Sequence, residues 1–211
     1  MPRSQAVKFD VNEEGIALFL GELDHRIRNV LTMIEAMVMK TQSTDVEDYR
    51  SKLLHRIRGL HGFYQLTGRH NRVLGLAELL AHTMCPYSAN GVAQVLAAGP
   101  DVELRPSLAL ALHLAFHELA ANAKKYGAFS SPDGRVKIRW EIGHILDAPR
   151  KLAIVWTEEG GPEVKGPQRR GFGSRLIENV LAEYGAVRLH FGSTGVSCFM
   201  LIDMNSPGAR K

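Results

Sequence analysis

The sequence predicts an α+β protein: a helical hairpin over residues 13–70 that pairs with a second copy into a dimeric four-helix bundle, followed by an α/β sandwich over residues 71–205. Three observations carry that prediction. Apolar residues in the first third of the chain recur at spacings of four and three, as in a helix packed along a coiled-coil seam. VKIRWEI and KLAIVWTE alternate apolar and polar residues with the period of paired strands. A long apolar segment of helical length, residues 107–126, precedes those strands, and helices laid on one face of a mixed sheet make a two-layer sandwich.

In the first helix the seam is Leu23, Ile27, Val30, Ile34 and Met37. The polar break QSTDVED follows, with Ser43 or Thr44 placed to cap a second helix and Glu47 to complete a capping box with Thr44. That second helix carries Val46, Tyr49, Leu53, Ile57, Leu60 and Tyr64 on its apolar side. A lone hairpin buries one stripe per helix, so two copies are expected to share a bundle; the alternative is a hairpin packed on the C-terminal region of a monomeric chain. TGRHNRVLG reads as the linker. A helix near LAELLAHTM and a strand near AQVLAAG precede the long helix, whose expected N-cap is Ser107 and whose stop is Gly127. GHILDAP separates the paired strands, EEGGPEVKGPQRRGFGS is a glycine-rich loop, SRLIENVLAEYG is a helix, and AVRLHFG with VSCFMLID closes the sheet as a hairpin.

A chain of 211 residues, 45% hydrophobic, builds a core without disulfides or structural metal. Cys85 and Cys198 form no ligand cluster or disulfide framework. No apolar run reaches the roughly 18 residues of a membrane span, and MPRSQAVKFD lacks a secretory core, so a soluble cytoplasmic protein is expected. The net charge of +4 comes from scattered Lys and Arg with no interleaved aromatic ladder, which argues against nucleic acid as a partner.

FHELAANAKKYG concentrates the chemistry. Glu118 and Asn122 are spaced i,i+4 and share one side of the helix, as do His113 and His117. The histidine pair makes a poor zinc site, because the second histidine of HExxH is missing and no Cys or acid nearby completes a ligand set. An amide and a carboxylate projecting together suit magnesium, which takes oxygen ligands and shares its shell with phosphates; Lys125 then adds a point charge. GFGS leads straight into a helix whose free N–H groups receive an anion, with Gly171 and Gly173 letting the backbone come close. In WTEEGGP a carboxylate at a strand end accepts a hydrogen bond from an exocyclic amine such as that of adenine, and Gly160 and Gly161 leave room for a flat ring.

HELAANAKKYGAFS, VWTEEGGP and RRGFGSRLIENV stand in the order and spacing of the catalytic domain of the HWE subgroup of sensor histidine kinases, and ELDHRIRNVL is similar to the phosphoacceptor box of that group. The signature residues are His117, Trp156 and Glu158. The resemblance spans residues 20–203 or so and implies a Bergerat-type ATP-binding domain of the GHKL superfamily behind a dimerisation and histidine-phosphotransfer hairpin. It implies that Asn122 holds Mg²⁺ with Glu118 close by, and that Lys125 faces the phosphates. Glu158 is then expected at adenine with Trp156, Gly160 and Gly161 around it, and Gly171, Phe172 and Gly173 in the ATP lid. His117 either orders a neighbouring strand through a hydrogen bond or touches ATP.

With Leu23, Ile27, Val30 and Ile34 at d, a, d and a, His25 falls at f, the outermost heptad position. There it is open first to ATP and then to a receiver aspartate. Neutral imidazole is the nucleophile, so a carboxylate should orient it; Asp24 adjoins it, Glu22 lies at i−3, and the sequence leaves both open. Asn29, one turn along, is placed to position a water against a receiver's aspartyl phosphate. Arg26 and Arg28 steer phosphates or an acidic receiver. The leading expectation is a dimeric histidine protein kinase that phosphorylates His25 with MgATP and passes the group to a response regulator. The alternatives are a phosphotransfer or response-regulator phosphatase module with weak or no ATP turnover, and a GHKL ATPase or serine kinase. No sensor domain is recognisable before residue 13, so either a separate sensor protein is among the partners or this is a kinase core whose sensor is elsewhere or absent.

Overall fold

The computed structural model describes residues 13–41, 43, 45–67, 73–87, 94–143, 151–163 and 172–206. Helices α1 (Glu13–Lys40) and α2 (Val46–Thr67) form the hairpin. Its turn is capped by Asp45, whose carboxylate accepts from the Asp48 N–H at 2.8 Å, the reach of an N-cap to the third helical amide. Ser43, one of the expected caps, donates instead to the Asp48 side chain at 2.5 Å, and Thr44 lies outside the described residues. Glu47 pairs with Arg50 at 3.6 Å. Along the expected seam Met37 and Leu60 are buried and Val30, Ile34, Leu53 and Ile57 are half-buried, while Ile27 is 57% exposed.

The sandwich begins with β1 (Leu74–Gly75) and α3 (Leu76–Met84), continues through β2 (Val95–Ala98) and β3 (Glu103–Leu104), and reaches the central helix α4 (Pro106–Tyr126). β1 and β3 pair antiparallel over two residues, too short a clamp to show any alternation in sequence. α4 starts one residue before the expected cap: Arg105 is the N-cap and Pro106 takes the first helical position, where its fixed φ fits and no N–H is wanted. Ser107 therefore lies inside the first turn. Strands β4 (Arg135–Gly143) and β5 (Lys151–Glu159), helix α5 (Phe172–Leu181), and strands β6 (Gly185–Gly192) and β7 (Gly195–Asp203) complete the unit.

The main sheet runs β2-β4-β5-β7-β6, with β2 parallel to β4 and every other pair antiparallel. Strand alternation sends Val136, Ile138 and Trp140, Leu152, Ile154 and Trp156, and Cys198, Met200 and Ile202 to one face. There they meet Leu79, Leu112, Phe116, Leu119, Ile177 and Leu181 from α3, α4 and α5 in a single core. Phe63 of α2 belongs to that core, so the hairpin's second helix is seated on the sandwich. Among the described residues no helix is long and apolar enough to cross a membrane.

Candidate nucleotide site and its contact with the hairpin

The i,i+4 spacing on α4 turns Glu118 and Asn122 toward the start of α5. A Cβ added at Gly173 would lie 3.1 Å from Asn122 Nδ2, 3.1 Å from Glu118 Oε2 and 3.7 Å from Asn122 Oδ1. Without a side chain at residue 173 the backbone of α5 packs tightly against this amide and carboxylate, which a Cβ would push back by a few tenths of an ångström. One oxygen-rich pair lies under the first turn of a ten-residue helix with free amides. This donor set fits a hard divalent cation carrying phosphate oxygens.

Glu118 is only 6% exposed. Its Oε1 accepts from Arg56 Nε of α2 at 3.3 Å, and Arg56, equally buried, donates through Nη1 to the Thr41 hydroxyl at 2.5 Å. Burial pushes the Glu118 carboxyl above its ordinary pKa, while the charge and hydrogen bond of Arg56 and the charge of Lys125 oppose that shift. Lys125 itself is exposed on the last turn of α4.

The two α4 histidines face the hairpin. His117 stacks on His55 of α2, ring centroids 4.2 Å apart and planes 26° from parallel. His113 Nε2 donates to the Gly59 carbonyl at 2.9 Å, which leaves Nδ1 as acceptor for the Thr83 hydroxyl at 2.8 Å. A Cβ at Gly59 would fall 2.8 Å from His117 Nδ1, so the helices meet at this distance only because residue 59 has no side chain. Burial holds His55, His113 and His117 at a pKa of about 4, so all three rings are neutral at pH 7. Among the described residues no group of three or more His, Cys, Asp or Glu is placed to hold a metal.

Glu158 is turned into the fold and is 4% exposed. Its Oε2 accepts from the Ala128 N–H at 3.0 Å and its Oε1 from the Trp156 indole at 3.3 Å. Burial raises its pKa and these two bonds pull it back. Trp156 is wholly buried between Ile138 on β4 and Cys198 on β7. Gly160 turns the chain with φ +69°, and Gly161 lies against the backbone of Gly127 and Ala128. The structure therefore brings Glu118, Asn122 and Gly173 together at one end of α4, and Trp156, Glu158, Gly160 and Gly161 at the turn after it.

Of the hairpin residues singled out in sequence, Asp24 is exposed and ion-paired with Arg28 one turn on. The side chains of His25, Glu22, Arg26, Asn29 and Phe172, and the whole of Gly171, lie outside the described residues. Sequence reasoning missed Arg56, His55 and Gly59. Their partners stand roughly 60 positions away, and LLHRIRGLHG by itself reads as an ordinary amphipathic helix.

Residues 22–101 match the HWE histidine kinase family. Over 198 residues, 89% of this chain and 53% of the relative, the sequence is 32% identical to "Blue-light-activated histidine kinase 1" of Erythrobacter litoralis. The chain is similar to HWE histidine kinases, through that match and this partly covered relative. A second relative, the "Blue-light-activated histidine kinase" of Brucella ovis, is 32% identical over 200 residues, 92% of this chain and 40% of that one. The chain thus spans about half or less of the curated relatives it matches. Its fold is that of a solved blue-light activated histidine kinase from Erythrobacter litoralis, with TM-score 0.61 at 19% identity over 96% of this chain and 63% of the other. A histidine kinase domain from the same organism matches with TM-score 0.50 at 13% identity, over 81% and 93%.

Proposed function

We propose that this chain is a protein-histidine kinase that phosphorylates its own His25 from MgATP and hands the phosphoryl group to an aspartate of a response-regulator receiver domain. Residues 13–70 serve as the dimerisation and phosphotransfer unit and residues 71–205 as the ATP-binding unit. The observation that carries the reading is the close approach of Gly173 to Glu118 and Asn122, which sets the first turn of α5 over a carboxylate and a carboxamide.

In this reading Asn122 and Glu118 hold the magnesium, and the amides of Gly171, Phe172 and Gly173 with Lys125 receive the phosphates. The turn of Glu158, Gly160 and Gly161 takes the adenine end, with the wholly buried Trp156 supporting Glu158 from inside the sheet. Bound MgATP supplies the transferable phosphoryl group and much of the charge neutralisation that its transfer requires. The protein's task is positioning: the neutral His25 imidazole attacks, and Asp24 or Glu22 orients the ring and balances its developing charge. On α1 the exposed residues Leu20, Ile27, Leu31 and Val38 follow one another at seven, four and seven, which supports a second hairpin as the dimer partner. Cys85 and Cys198 are both free, which supports a reducing, cytoplasmic setting.

Incubation with γ-labelled ATP and Mg²⁺ tests the reading. Wild type should acquire acid-labile label; His25→Ala and Asn122→Ala should acquire none. Label that survives in both variants discards the assignment.

A further inference from the structure

Glu118 has two neighbours of opposite kind. Its Oε2 lies toward Gly173 and the amide of Asn122, whereas its Oε1 is taken by Arg56 from the hairpin, 62 positions earlier in the chain. Arg56 is fixed at its far end to Thr41 beside the hairpin turn, and the Thr41 hydroxyl in turn donates to the Met37 carbonyl at 2.5 Å. On one side of Arg56, His55 stacks on His117; on the other, Gly59 accepts from His113. The ion pair is thus the charged centre of a packed junction between α2 and α4.

Both charges of that pair are buried, and each is tolerated because the other is present. A magnesium ion on the same carboxylate would bring a second cation next to a desolvated guanidinium, where charge repulsion is poorly screened. Occupation of Glu118 by metal nucleotide and by Arg56 therefore oppose each other.

We propose that Arg56 is a hairpin-borne residue of the nucleotide site, latching Glu118 in a pair that magnesium nucleotide must break. The proposal rests on the nucleotide-site reading above. The docked hairpin then holds the site in a low-affinity state, and by linkage nucleotide loading loosens α2 from α4 and frees the helix pair that carries His25. A guanidinium that instead stayed in place to neutralise the transferred group would give effects of the opposite sign.

Two measurements on the full chain test the latch: titration with a fluorescent ADP in Mg²⁺, and amide hydrogen exchange along residues 52–60 with and without MgADP. Arg56→Gln should bind the magnesium nucleotide about tenfold tighter, because the competing docked state is depopulated. The gain should vanish when EDTA replaces Mg²⁺. Exchange over residues 52–60 should rise in the nucleotide-free variant, and in wild type on adding MgADP. Thr41→Val, remote from the nucleotide site, should move both readouts the same way by a smaller amount, and it decides the matter if Arg56→Gln misfolds. Unchanged or weaker binding in a folded variant overturns the latch, as does wild-type exchange that ignores MgADP. Nucleotide binding by none of the folded proteins overturns the site reading itself, and the latch with it.

Discussion

At Glu158 a residue type and its surroundings pull in different directions. A carboxylate at 4% exposure is costly unless its charge is met by donors, and here the Ala128 amide and the Trp156 indole each occupy one oxygen. Gly127 makes room for it, since a Cβ there would collide with Glu158 Oε2. The glycine was readable as the end of α4, but its φ of −126° is open to any residue, so the reason for it is the acid behind it and not the turn. WTEEGGP could be read as a polar site at a strand end; that its carboxylate points inward could not, because the donor lies on a different element. Glu158→Ala strands two buried N–H donors and opens a void, so it should lower unfolding free energy by about 2–4 kcal/mol. Urea unfolding followed through Trp156 fluorescence reads this, and a loss under ~0.5 kcal/mol would show that the acid is not structural.

At the scale of elements, periodicity located α4 and put Glu118 beside Asn122, because both facts are local to one helix. Seating α2 on α4 depends on His55, Arg56 and Gly59 meeting residues 113–118, and no local pattern encodes such a distant pairing. That junction makes stability depend on pH. His55 and His113 are held at about 4, first by burial, with Lys125, Arg56 and Arg58 adding to the effect on His55 and His117 and His82 to that on His113. Their unfolded values lie near 6.5, so between pH 6.5 and 4 the unfolded chain binds more protons and folding weakens as pH falls. The Gly59 carbonyl bond opposes the shift of His113 only in part. Screening at half-exposed His55 reduces its share, leaving on the order of 1–3 kcal/mol per ring. The urea midpoint should drop between pH 7 and 5, and His113→Gln should flatten that drop; an unchanged midpoint over this range contradicts a neutral buried pair. Asp48, held below the usual carboxylate range chiefly by Lys52 and also by Ser43, contributes to acid sensitivity only at lower pH.

For the whole molecule, the order of hairpin, helix and strands was readable because each long element repeats its own period, and the two-residue β1–β3 clamp was not because it repeats nothing. Assembly follows from what the fold leaves uncovered. One side of α2 is spent on α4 and another on α1, while α1 keeps Leu20, Ile27, Leu31 and Val38 toward solvent, Leu31 at 53% exposure. A two-fold axis along this stripe would place each residue at the seam twice, once per copy. Burying one leucine contributes about 1.5–3 kcal/mol, so losing it from both copies removes roughly 3–6 kcal/mol and weakens association at least about a hundredfold. Leu31→Glu adds the cost of two carboxylates facing each other. Light scattering after size exclusion at micromolar concentration should therefore find a wild-type dimer and a Leu31→Glu monomer that still binds magnesium nucleotide, because residue 31 is exposed on α1 and the proposed site is built on α4 and α5. A monomeric wild type would refute the bundle and leave the α1 stripe to a different partner surface.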